Sequence, residues 1–347
     1  MSPPSEASNV CHGMSINQLA QQHCRERLLF PPLYWTERQL ELAAMLVDDA
    51  VPAPPIASHH FTGERNGAEF IGPLVKRTEA CFREEGIVGL IASDECPLLP
   101  QQKLRFIFNR HARSVLECTW FLLRQQPGEP AVALYVDQRR IQLLREDALR
   151  PQFDYRFRAK ERIKHFNAAH ALYMRRLKKI TPQDPTRDPY IVALLITMAQ
   201  EALLHGRALG IYSKGGSSPR SIPAKVLVSF PKRDFIYLYA AHVPCSLLDM
   251  LFEPAVPPIA QPSLFVRIIL INLKPYKSLR DRLLAALLPH QHDPGKGRVN
   301  LDDRLHNGKE EAAEGLVQQP PVHQASDAQA NESETVSSNC PARHSPG

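Results

Sequence analysis

Along residues 188–288 the apolar and polar positions set out a series of elements. From Tyr190 to Ala199 only Thr197 is polar. No face of that stretch is left for water, which predicts a helix covered on most sides. Asp188 suits its cap, Pro189 the first helical position and Gly210 its stop. Gln200, Glu201, His205 and Arg207 interrupt the run before it reaches the roughly 20 apolar residues of a bilayer span, so the helix reads as core. The period then changes from helical to alternating. Lys225–Phe230 and Phe235–Val243 are rich in β-branched and aromatic residues and flank Pro231-Lys232-Arg233-Asp234, which predicts a hairpin. Phe235, Tyr237 and Tyr239 alternate with Ile236 and Leu238, so both faces are apolar and a layer is expected on each. Pro244 ends the second strand. A short helix over 245–252, a third strand over Leu264–Leu273 and an amphipathic helix over Ser278–Leu288 complete the unit.

Upstream, the pattern predicts mostly helices. Thr36 and Gln39 form a capping-box pair ahead of Leu40, Ala43, Ala44 and Val47, giving a helix to about Asp49. Leu74–Glu85 reads as a helix stopped by Gly86, with Ile87–Ala92 as a short strand and Asp94-Glu95-Cys96 as a turn. Residues 101–125 carry more apolar side chains than one helical face holds and read as a helix buried on both sides. Val132, Leu134 and Val136 alternate as a strand, with Arg139, Ile141 and Leu143 as a hairpin partner; a single helix over 131–144 is the alternative.

Residues 157–180 hold the clearest hint of function. Ala159, Ile163, Phe166, His170, Tyr173, Leu177 and Ile180 recur at steps of three and four and share one helical face. Arg156, Arg158, Lys160, Arg162, Lys164, Arg175, Arg176, Lys178 and Lys179 populate the rest, opposed within the helix by Glu161. Such a cluster can neutralise nucleic-acid phosphates, although a solvated helix face has the same composition. His170, on the inner stripe, reads as a packed histidine.

The stretch Asp188–Leu195 running to Met198-Ala199-Gln200, the strand ending Tyr237–Ala241, Val243-Pro244, and Leu248–Phe252 with Pro254 together resemble a lineage-restricted group of fungal proteins with no assigned activity. The likeness covers about a fifth of the chain. It implies an intracellular setting and a shared fold unit, and it brings no catalytic residues with it.

Composition sharpens the outline. Of 347 residues 44% are hydrophobic, enough for a core, while 1–27 and 290–347 are polar, rich in Pro, Ser and Gln, and expected to be disordered. The expected organisation is a mainly helical region over 28–212, a linker over 213–223 and a strand-strand-helix-strand-helix unit over 224–289. The fold class is α+β, with a helical N-terminal part on a small, mostly antiparallel sheet. Seven cysteines without paired spacing, and no leader peptide, point to reduced thiols inside the cell, in cytoplasm or nucleus. Net charge is +6, yet residues 301–347 hold 3 Lys+Arg against 8 Asp+Glu, so residues 1–300 carry +11. A basic body suits a polyanion partner.

Signatures of catalysis are missing: no phosphate loop, dinucleotide fingerprint, nucleophile elbow, His-Glu-x-x-His or Cys-x-x-Cys. His59-His60 lacks a third ligand at helical spacing, and Arg207, Gly210 and Tyr212 make only half of an acyl-CoA-binding turn. His242 and Cys245 form a possible imidazole–thiol pair across Pro244. No cofactor or metal is expected. The expectation is a non-catalytic, non-membrane interaction protein whose partner is protein or nucleic acid. Nucleic-acid binding through the basic helix, and an enzyme of unrecognised type, are the alternatives.

Overall fold

The computed structural model describes residues 13–26, 31–42, 44–54, 68–125, 129–150, 159–211 and 219–288, with backbone alone at 42, 68 and 159–166. All lie within one compact unit. Among the described residues seven strands form one sheet: β1 (Met45–Pro52), β2 (Leu98–Phe108), β3 (His111–Leu123), β4 (Ala133–Asp137), β5 (Ser221–Ser229), β6 (Phe235–Pro244) and β7 (Leu264–Asn272), in the order β1-β7-β6-β5-β4-β3-β2. The β1–β7 and β4–β5 pairs are parallel and the other four antiparallel. Around the sheet run α1 (Ile16–Gln22), α2 (Glu37–Leu42), α3 (Ala68–Lys76), α4 (Ala80–Ala92), α5 (Gln138–Leu149), α6 (Ala159–Ile180), α7 (Pro189–Ala208), α8 (Cys245–Phe252) and α9 (Leu279–Leu287).

The expected central helix is α7. Its first turn is closed by the Asp188 carboxylate, which accepts from Tyr190 N at 2.9 Å. Arg145 of α5 grips the same carboxylate with two bonds of 2.6 Å, so the cap is also a buried ion pair joining two helices. Residues Pro189–Gln200 are all buried, Leu195 completely. Thr197 satisfies its hydroxyl on Ala193 O at 2.7 Å, which lets a polar residue sit there. By length and composition, Pro185–Ala208 would suffice to cross a bilayer. Instead it packs against one face of the sheet, its Ile191, Leu194, Leu195 and Met198 forming one core with Val226, Val228, Tyr239 and Val266. The other face meets α4 and α9, whose Leu90, Leu283 and Leu284 pack on Leu227, Leu238 and Ile271. Strands β5 and β6 are thus covered on both faces, as their continuous apolar runs predict.

Several expectations are corrected. Residues 101–125 are not a helix but the β2–β3 hairpin, and their apolar surplus arises because parts of each strand meet both cores. Asn109 and Arg110, both with positive φ (52° and 60°), make the two-residue turn. Helix α4 runs through Gly86 and takes in Ile87–Ala92, so that stretch is no strand. Gly86 is there because α3 crosses closely: a Cβ would stand 2.9 Å from Leu74 N and Phe70 O. Residues 133–137 are a strand, but Arg139–Leu143 belong to α5, capped by Asp137, which accepts from Arg139 N at 2.9 Å. The Thr36–Gln39 cap forms, with Thr36 N donating to Gln39 Oε1 at 2.8 Å, yet α2 ends at Leu42 and Val47 lies in β1.

Within 28–212 helices outweigh strands, but the region also supplies four of the seven strands found among the described residues. The sheet is mostly antiparallel but not small, and the 224–289 strands lie between β1 and β4 of the upstream region. The linker is shorter than 213–223, because β5 begins at Ser221. Residues 13–26, placed in the disordered end, contain α1, closed by a Ser15–Gln18 capping box with Leu19 buried. Residues 1–12 and 289–347, and the His59-His60 pair, lie outside the described residues.

Candidate polyanion interface

Helix α6 packs against α5. Ile180 is buried and Tyr173 and Leu177 are half-buried, so the predicted stripe does face inward over the last turns. His170 does not: it is exposed, tilted over Tyr173 with ring centroids 6.0 Å apart.

Arg175, Arg176, Lys178 and Lys179 are all exposed. At roughly 100° per residue they fan over about half the helix circumference, opposite the stripe. Leu172 and Met174, each about half exposed, stand beside this arc. Of the remaining expected site residues, Lys160, Arg162 and Lys164 lie on the α6 backbone without described side chains, and Arg156 and Arg158 fall outside the described residues.

What sets the arc apart is density, with four exposed cations within five consecutive residues of one helix. Elsewhere several surface arginines meet carboxylates, Arg38 with Glu26 at 2.7 Å, Arg187 with Asp49 at 2.7 Å, Arg207 with Asp249 at 3.0 Å, Arg139 with Glu146 at 3.2 Å, and Arg140 with Glu117, while exposed Arg105, Arg113, Arg233 and Arg267 are scattered singly without an ion pair among the described residues. Among the described residues none of the four α6 cations has an ion-pair partner. Lys178 and Lys179, in the last turn, complement the negative end of the helix dipole. Arg175 and Arg176 stand earlier, where that effect has faded.

A second feature is a cleft of about 90 Å³ lined by Glu84, Gln102, Lys103, Glu117, Cys118, Tyr135, Val136, Asp137 and Arg140. It lies by the carboxyl end of β4, where parallel strands of α/β sheets commonly carry ligands. Beneath it a buried polar network ties the layers: Arg83 of α4 pairs with Asp137, Ser229 donates to Asp137 Oδ2 at 2.5 Å, and Tyr135 Oη and Ser229 Oγ are 2.6 Å apart. Nearby Thr119 donates to Glu84. Burial pushes the Cys118 thiol up to about 12, with the Glu84 charge adding to it. Burial and the Asp137 charge also push the Tyr135 phenol upward. Both displacements lead away from neutrality, so these groups stay protonated and are neither nucleophile nor base. The cavity is also smaller than the roughly 150 Å³ that accepts a benzene ring.

The other candidates separate in space or chemistry. His242 is exposed while Cys245 is buried, and burial together with Asp249 raises the Cys245 thiol despite Arg207, so no imidazole–thiolate pair forms. Asp94 and Glu95 are exposed in a turn. The half-turn of Arg207 and Gly210 has its cation on Asp249, and Tyr212 lies outside the described residues. The sequence reading missed the Arg83–Asp137–Ser229 network, whose members are 54 and 92 residues apart and meet only through the β4–β5 register and the packing of α4 on the sheet. No protein-family model, curated protein or solved structure matches the chain.

Proposed function

We propose that this chain is a non-catalytic macromolecule-binding protein and that its contact element is α6, with the phosphates of a nucleic acid as partner. The observation carrying the reading is the set of four exposed cations within five residues of one helix, Arg175, Arg176, Lys178 and Lys179, without carboxylate partners among the described residues. Unpaired cations keep their full field for a polyanion, and binding releases condensed counterions from the nucleic acid. A helix about 10–12 Å across also matches the roughly 12 Å major groove of duplex DNA. Free cysteines at 24, 81, 96, 118 and 245 support an intracellular setting as part of the same reading. The likeness of 188–254 to the fungal group belongs to this proposal as well and adds no activity.

Enzymatic function is the weaker reading, because the cleft beside Asp137 holds its displaced groups protonated and has little room. The test is fluorescence anisotropy of a labelled duplex with the full chain and with Arg175, Arg176, Lys178 and Lys179 replaced by Gln. Binding that falls sharply supports the reading. Unchanged binding, or none by the parent protein at low salt, removes it.

A further inference from the structure

We propose that Thr181 is a phosphorylation site whose modification switches the α6 surface off, an inference that rests on the polyanion-binding reading of that helix. The chain leaves α6 as Lys178-Lys179-Ile180-Thr181-Pro182. Thr181 is half-buried at the mouth of an irregular segment that runs to the α7 cap, and Pro182 fixes it there. A proline next in line disfavours the helical conformation at Thr181 and contributes no amide of its own, so the helix has to stop. What holds its last turn is Thr181 itself. Its amide donates to Leu177 O at 2.9 Å and its hydroxyl donates to the same oxygen at 2.8 Å.

A threonine followed by proline, at the end of a helix and just after lysines, has the local chemistry that proline-directed protein kinases accept. Transfer from a nucleoside triphosphate forms the Oγ–P bond and breaks the anhydride to the leaving diphosphate. The hydroxyl proton passes to the kinase's base. The hydrogen that bonded Leu177 O is lost in the same step.

Two consequences act in one direction. The new group carries about −1.5 to −2 charges beside Lys178, its neighbour three residues back. From Arg175 to Thr181 the axial distance is roughly 9 Å, within the ~8–10 Å screening length at physiological salt, so the phosphate field covers the whole arc. About half of its four positive charges is offset. The phosphate also stands at the negative end of the helix dipole, where it repels and loosens the turn bearing Lys178 and Lys179.

The experiment treats the full chain with a proline-directed kinase and ATP, maps the phosphate by mass spectrometry, and measures duplex binding before treatment, after it, and after phosphatase. Phosphate on Thr181 is expected to weaken binding about tenfold or more, reducing the salt slope by about 1.8, which corresponds to two phosphate contacts. Phosphatase restores it, and Thr181→Ala binds like the parent before and after kinase. Absence of phosphate at Thr181, or a Thr181-phosphorylated protein that binds as tightly as before, overturns the switch and leaves the α6 reading standing. An unmodified protein that binds no duplex overturns the α6 reading and the switch with it.

Discussion

The side chain of Gln200 closes a two-bond ring with the backbone of Ile107: Ile107 N donates to Gln200 Oε1 at 3.0 Å, and Gln200 Nε2 donates to Ile107 O at 2.8 Å. Ile107 lies in β2, the last strand of the sheet, at a shift of register against β3. An amide from α7 thus does there what a further strand would do, and Gln200 is fully buried in doing so. Capping an edge in this way protects it from pairing with another chain.

Gln200→Leu removes both bonds and strands two backbone groups. At about 1–3 kcal/mol for each buried group left unsatisfied, the loss should be about 2–6 kcal/mol. Urea unfolding followed by circular dichroism measures it. A loss of a few tenths would place Gln200 outside the core.

Leu195→Ala opens a cavity at the centre of α7 against β5 and should cost about 2–5 kcal/mol. The same melts measure it, and a shift within experimental noise would contradict the enclosed helix.

Asp137→Ala leaves the buried Arg83 without its carboxylate, deprives Ser229 of its acceptor and uncaps α5. Breaking one side of a buried pair typically costs about 3–5 kcal/mol. Replacing Arg83 and Asp137 together by apolar residues should recover much of that, and a double-mutant cycle separates the two effects. Additivity across the cycle would deny the coupling.

Stability should fall as pH rises above about 9, the value at which a free thiol titrates, because Cys118 in the fold holds its proton up to about 12. The folded state then binds protons that the unfolded chain has released, which draws the equilibrium toward unfolding. The phenols of Tyr135, Tyr190 and Tyr239, all raised by burial from 10.0, add to the decline at higher pH. Urea midpoints from pH 8 upward should decrease, and Cys118→Ala should flatten the first part of the slope. A midpoint independent of pH for the parent would refute it.

Where cap, proline and unbroken apolar run coincide, as from Asp188 to Gln200, the element can be read from residues alone. The hairpin around Pro231–Asp234 is equally plain, because its flanking strands are both long and apolar. The β2–β3 hairpin escapes for a physical reason. Its turn is Asn109-Arg110 without glycine, and its strands meet both cores, so alternation disappears into a run that imitates a buried helix. Gly86 misleads in the opposite sense, since a glycine serving close helix contact looks the same as one ending a helix. The cations of α6 show in the spacing, whereas their lack of partners depends on where distant carboxylates come to rest. His170 shows that periodicity fixes a face and not how deeply each position on it is buried.

The salt dependence of duplex binding tests the α6 surface most directly. If Arg175, Arg176, Lys178 and Lys179 each neutralise a phosphate, replacing all four by Gln should reduce the slope of log K against log salt by about 3.6, at about 0.9 per contact. The fold should survive the change, since all four positions are exposed and the helix-dipole contribution of Lys178 and Lys179 is about 0.3–1 kcal/mol each. Parallel lines of equal slope for parent and variant would show that α6 is not where this protein meets a polyanion.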